Sequence, residues 1–317
     1  KSAARSVRTP KSARLESEKW WRDFKRHVDL GRLAPRSRSS YLGWVRQLHE
    51  AFPHRDPTKL RENEILDFLI SLRQRRKLRD STVNQAVCAL RAFYRDHLGR
   101  QWKGWSRIKI RRDEQLPNVL SREEAARFLG AVRQGRFLAV ITLMYHCGLR
   151  LGEVVGLKPG HIDASRGVVR IVGAKGGKDR EIPISDALIE RLRAFWKLHR
   201  NPEWLFPSPG RGWKSAGATL PEALRRSTKP MSDSSVQAAM RATVVALGWD
   251  LRHGRRPVTC HTLRHCFATH LLDAGVSIRL VSQYLGHASL KPTLVYLHLT
   301  EASESKAREV LAGFPGL

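Results

Sequence analysis

Between residues 15 and 98 the apolar side chains fall into four runs at three-to-four spacing, a period that amphipathic helices satisfy and strands do not. Trp20, Trp21, Phe24 and Val28 make the first run, and Tyr41, Trp44, Val45 and Leu48 the second, after a turn-rich stretch at 35–40. Ile65, Phe68, Leu69 and Leu72 make the third. The fourth holds Val83, Val87, Leu90, Phe93 and Tyr94, with Ser81 placed to cap its start and Gly99 to stop it. Four such stripes with short connections predict a helical bundle over 15–99.

Beyond residue 99 the pattern changes. Residues 100–118 (RQWKGWSRIKIRRDEQLPN) mix basic and turn residues and read as a linker. Ser121 and Glu124 stand at capping-box spacing before a helix over 123–133, and a second helix over 136–147 is apolar nearly all round, hence buried. GVVRIVG at 167–173 and EIPI at 181–184 read as short strands around the Gly-rich turn 174–180, a hairpin with Lys175 near its tip. Helices return at 186–198 and 232–247, separated by an irregular Pro- and Gly-rich insertion at 201–230. The expected fold is mainly α with a small antiparallel β-sheet (α+β): a helical bundle, then a mixed α/β domain over 119–317.

The formal charge is +29, from 58 Lys and Arg against 29 Asp and Glu. Residues 1–115 hold 29 basic and 13 acidic residues and the remainder 29 and 16, so both parts point to a phosphate polymer as partner. No membrane partner is expected, because no run approaches the roughly 18 apolar residues of a span and no lipid-anchor motif is present. Residues 1–14 are basic and without period, either an arm lying on a phosphate backbone or a terminus with no role. Arg73, Arg75, Arg76, Lys77, Arg79, Arg91 and Arg95 crowd the polar faces of the bundle. A solvated face is the plain reading, and DNA contact the one the total charge favours. Cys88, Cys147, Cys260 and Cys266 lie far apart or inside apolar patterns, which suits free thiols in a reducing cytoplasm.

The chemistry-bearing residues gather at 258–299. His261 and Arg264 share a face near the start of a helix that ends at Gly275, and N–H groups at a helix start beside an arginine suit a phosphate. His287 follows Gly286, which closes the next helix, and Tyr296 lies nine residues further on, after Pro292. A tyrosine on an apolar segment is as much at home in a core as at a reacting centre. Cys260, His261, His265, Cys266 and His270 also suggest zinc, but the cysteines point away from the histidine face and Arg264 would set a cation beside the ion. No metal is expected.

Taken together, HTLRH at 261–265, LGH at 285–287, Tyr296, GLRLGE at 148–153 and AKGGKDREIPI at 174–184 resemble, in order and spacing, the tyrosine recombinase (phage integrase) family. STVNQAVCALRAFY at 81–94 is similar to integron integrases and to recombinases that travel with transposable elements. The resemblance implies a helical DNA-binding domain and a tyrosine-recombinase catalytic domain, cutting and rejoining DNA at a defined site through a 3′-phosphotyrosine. Integration, excision or resolution of a mobile element would be the outcome. By the same resemblance Tyr296 is the nucleophile, Arg150 and Arg264 hold the non-bridging oxygens and His287 donates to them. Lys175 is the general acid for the 5′-oxygen, His261 handles the tyrosine proton and Glu153 orients.

This set is chemically coherent, since phosphodiester transfer needs an oxygen nucleophile, charge stabilisation and a proton for the leaving oxygen. Two guanidiniums and an imidazole supply what magnesium supplies elsewhere, so no cofactor is expected. The implied partner is double-stranded DNA carrying a recombination site, with folded single-stranded DNA as the alternative raised by the 201–230 insertion. Exchange between two duplexes implies a homotetramer, and 301–317, with Val310, Leu311 and Phe314, is either a docking segment or a cap on its own domain. The rivals are a DNA-binding protein without catalysis and a type IB topoisomerase, which relaxes supercoils without a defined site.

Overall fold

The computed structural model describes residues 15–31, 33–108, 117–173, 179–215, 217–249, 257–297 and 312. The chain divides into two compact units, Lys1–Gln115 and Leu116–Leu317. In the first, α1 (Lys19–Leu30), α2 (Pro35–Ala51), α3 (Glu62–Gln74) and α4 (Asp80–Arg91) turn their apolar stripes onto one another. Phe24, Val45, Leu48, Ile65, Leu72, Val87 and Leu90 are buried together at the centre. Pro35, expected in a turn, instead opens α2, where its missing N–H has no helical partner to lose and its fixed φ is already helical. Ser81 is not the cap of α4: the helix starts two residues earlier than such a cap would place it, with Arg79 at the cap position. At its far end α4 widens into a π turn, Ala92–His97, which carries Phe93 and Tyr94 into the core before Gly99 stops it at φ +68°. The stretch read as a linker is folded as far as residue 108. There α5 (Gly104–Arg107) brings the buried Trp105 ring to 5.7 Å from Trp102, and Arg91 donates to the Trp105 carbonyl.

The second unit is organised on the buried helix α7 (Gly135–Cys147), preceded by α6 (Arg122–Gly130). Ser121 and Glu124 exchange backbone-to-side-chain hydrogen bonds of 3.1 Å at the start of α6, the capping box their spacing predicts. After the short α8 (Leu151–Val155) comes a three-stranded antiparallel sheet in the order β1 (Ile162–Asp163), β2 (Val168–Ile171), β3 (Arg180–Pro183). Two residues are too few for β1 to show an alternation in the sequence. Val169 pairs with Ile182, both inward, and Arg170 with Glu181, both outward. By the same period-2 rule Arg180 faces inward. The helix α9 (Asp186–His199) follows.

The insertion at 201–230 contains a helix of its own, α10 (Leu220–Arg225), started by a Thr219–Glu222 capping box. Asn201 holds its end by donating to the carbonyls of Leu224 and Ser227, each at 2.8 Å. Among the described residues four further helices follow: α11 (Asp233–Ala246), α12 (Cys260–Asp273), α13 (Ile278–Leu285) and α14 (Lys291–Leu294). Residues of α7, α12 and α13 share one core with the sheet and with Tyr296. Among the described residues no helix is long and apolar enough to cross a membrane, and the four cysteines are free thiols.

Candidate active site

A charge inside an apolar core needs polar partners, and Arg264 finds them in the main chain. From the buried face of α12 it donates to the carbonyls of Gly148 at 2.6 Å and Leu285 at 2.5 Å. Both carbonyls are available because they end helices, α7 and α13, where the last turn has no N–H to pair with and the dipole favours a cation. Gly148 makes the approach possible: it sits at φ +59°, and a Cβ there would come within 2.3 Å of the Phe267 ring. Burial, then the charge of Arg150, pushes the Arg264 guanidinium down to about 10, so it stays a cation at neutral pH.

Arg150 caps α8 two residues after that same glycine. Its Nη1 donates to Glu153 at 2.8 Å, and its Nη2 lies 3.5 Å from the Gly286 carbonyl, next in line to the one Arg264 holds. Glu153 is also gripped from the other side by Arg180, at 2.7 and 3.2 Å. Burial works to push the Glu153 carboxyl up, but the hydrogen bonds and charges of Arg180 and Arg150 together leave it below its ordinary value.

Two imidazoles are set by contacts that sequence reading missed. His265 Nδ1 stands 2.8 Å from the Tyr296 hydroxyl, and His287 Nδ1 stands 2.8 Å from the Thr293 hydroxyl. Burial, reinforced by nearby positive charge, pushes His265 and His287 down to about 4, so both rings are neutral at pH 7. A neutral His287 that accepts the Thr293 proton at Nδ1 carries its own proton on Nε2. Tyr296 is buried, which raises its phenol, while Arg264 and Arg150 pull it back down. His261 is exposed one turn before His265, its ring centroid 6.1 Å from that of His265. The ring on the tyrosine hydroxyl is thus His265 rather than His261.

Arg150, Glu153, Arg264, His287 and Tyr296 converge through a chain of contacts on the ends of α7 and α13. Lys175 and, apart from Ala312, the segment 301–317 lie outside the described residues. In the first unit Arg73, Arg75, Arg76, Lys77 and Arg79 are exposed in one stretch of chain, Arg73 beside Asp80 and Arg76 beside Gln47. Arg95 pairs with Asp96, and Arg91 is turned toward Trp105. Of the side chains that suggested zinc, Cys266 accepts the Leu120 N–H, His270 bridges Tyr145 and the Leu120 carbonyl, and His265 holds Tyr296. Among the described residues no three His, Cys, Asp or Glu side chains are placed to share an ion.

Residues 118–303 match the phage integrase family, and 20–104 match the phage integrase N-terminal SAM-like domain. The chain is 31% identical over 294 residues to the tyrosine recombinase XerA of Thermococcus kodakarensis, covering 90% of this chain and 93% of that one. It is 30% identical to an integrase/recombinase of Escherichia coli, covering 89% and 90%. Among solved structures, the Tn1549 transposon integrase in complex with transposon right end DNA superposes with a TM-score of 0.67 at 16% identity, over 93% of this chain and 99% of that one.

Proposed function

The chain belongs to the phage integrase family, and from that footing we propose that it is a tyrosine-type site-specific recombinase acting on double-stranded DNA. The observation that carries the reading is the placing of Arg264 and Arg150 at the consecutive carbonyls of Leu285 and Gly286, one residue before His287. Two guanidiniums and an imidazole gathered at one helix end are the groups that a phosphodiester's oxygens call for.

In the proposed reaction the Tyr296 oxygen attacks the scissile phosphorus, and the bond from phosphorus to the 5′-oxygen breaks. The phenol proton passes to an imidazole, His265 in the arrangement seen here, with His261 as the partner one turn away. Lys175 gives a proton to the departing 5′-oxygen. Arg150, Arg264 and the Nε2–H of His287 take up the charge on the non-bridging oxygens. The 3′-phosphotyrosine conserves the bond's free energy, so the 5′-hydroxyl of another strand reverses the step and seals the joint without a nucleotide or a metal. Arg73, Arg75, Arg76, Lys77 and Arg79 hold the phosphate backbone through the first unit. Four protomers act on two duplexes in a reducing cytoplasm, integrating, excising or resolving a mobile element. Leu290, Leu294 and Leu297, exposed beside the nucleophile, fit a contact between protomers.

A nicked suicide duplex built from the DNA flanking the coding sequence tests this. The parent protein should form a covalent, protease-sensitive DNA adduct and Tyr296→Phe should bind the same duplex without forming one. An adduct of equal yield from Tyr296→Phe, or none from the parent, would overturn the proposal in favour of a DNA-binding protein without catalysis.

A further inference from the structure

Arg180 is the odd residue of the sheet. It opens β3 on the inward face, in line with Ile182, and its side chain is 4% exposed. An arginine is placed there at a heavy desolvation cost unless its donors are all used. Each of its three nitrogens finds an acceptor, on two different elements: Nε donates to the Tyr284 carbonyl of α13 at 2.7 Å, and the two terminal nitrogens form a fork on Glu153 of α8 at 2.7 and 3.2 Å. The fork fixes the carboxylate in its plane, and the carboxylate in turn takes Arg150 Nη1 and the Arg150 backbone N–H, at 2.8 and 2.9 Å. Gly286 closes the arrangement from above. At φ +64° it has no side chain, and a Cβ there would stand 2.9 Å from Arg180 Nη1.

We propose that Arg180 is a positioning residue for strand cleavage, holding Arg150 through Glu153 and, through the Tyr284 carbonyl, the helix end that leads to His287. Each of its three nitrogens is bonded to Glu153 or to the Tyr284 carbonyl, and the role assigned to it is to hold those partners rather than the phosphate. Its work is to keep the first arginine and the helix end in one frame, the kind of support a site needs when a displacement of about 1 Å costs on the order of 100-fold in rate. Lysine cannot replace it, having the charge without the planar fork. This inference rests on the recombinase reading above.

The test is single-turnover adduct formation by the full chain on the suicide duplex, with Arg180→Lys, Glu153→Gln and the double variant, each checked for thermal unfolding and DNA affinity. Arg180→Lys should bind DNA within about twofold of the parent and cleave on the order of 100-fold more slowly. The double variant should be no more than about threefold slower than the slower single, because both changes cut one relay. A structural role alone would lower the unfolding temperature and multiply the two losses. If Arg180→Lys does not fold, Glu153→Gln against Arg150→Lys reads the same relay without touching β3, and the pair should again be non-multiplicative. Parent-like cleavage by Arg180→Lys, or fully multiplying losses in either pair, overturns the positioning role. If the parent itself forms no adduct, it is the recombinase reading that has failed.

Discussion

His265 Nδ1 lies 2.8 Å from the Tyr296 hydroxyl, and burial above all holds that imidazole down to about 4, so the ring is neutral at pH 7 and, in the tautomer protonated at Nε2, presents Nδ1 as an acceptor for the phenol proton. His265→Phe keeps a ring in the space and removes the acceptor. Adduct formation should slow by about 100-fold, the lower range for losing a positioned base. A full loss in His261→Phe with parent-like rates in His265→Phe would instead give the proton to His261.

Lys175 is assigned the leaving-group proton, and that role can be separated from folding by changing the leaving atom. A thiol ionises near about 8.5, far more readily than an alcohol, so sulfur departs without an acid. Lys175→Ala should be nearly inactive on an ordinary duplex and close to the parent on one with a 5′-bridging sulfur at the scissile position. An equal defect on both duplexes would mean that the lysine does something else.

The same burial that readies the histidines makes the fold sensitive to acid. His199, His265 and His287 are each pushed down to about 4, in every case by burial first, against an ordinary value of 6.5. Unfolding therefore takes up protons between those limits. Stability is complete above pH 6.5 and falls as the pH drops toward 4, by at most about 1.4 kcal/mol per proton per pH unit. The denaturant midpoint should be lower at pH 5.5 than at 7.5, and His287→Gln should remove part of the difference. A midpoint that does not move is the contrary result.

The exposed cluster on the first unit predicts a salt signature. If Arg75 and Arg79 each neutralise one phosphate, replacing both by alanine should reduce the slope of log affinity against log salt by about 2. An unchanged slope would return both to the solvated face.

The helices of the first unit are legible because their apolar residues keep a helical period, and the motif residues are legible because their types and spacings are unusual together. What stays hidden depends on contacts between distant parts of the chain. Arg180 looks like one more basic residue at the edge of a turn until the pairing of Val169 with Ile182 sets its face. His265 follows Arg264 directly and shows no special spacing, and Thr293 matters only once α14 brings its hydroxyl to His287. Pro35 misleads because a proline marks a turn and a helix start equally well, and the context that decides is the helix after it.

Arg150, Arg180 and Arg264 are gathered around the single carboxylate of Glu153. A fold selected only for durability would balance such a cluster, because like charges in a poorly solvated setting repel. Here the missing negative charge belongs to the substrate. DNA is thus a thermodynamic partner of the catalytic unit as well as its target, raising its unfolding free energy by an amount that grows with the logarithm of its concentration. It follows that selecting variants for heat resistance in the absence of DNA would favour loss of Arg150, the most exposed of these arginines, yielding a sturdier protein and a poorer recombinase.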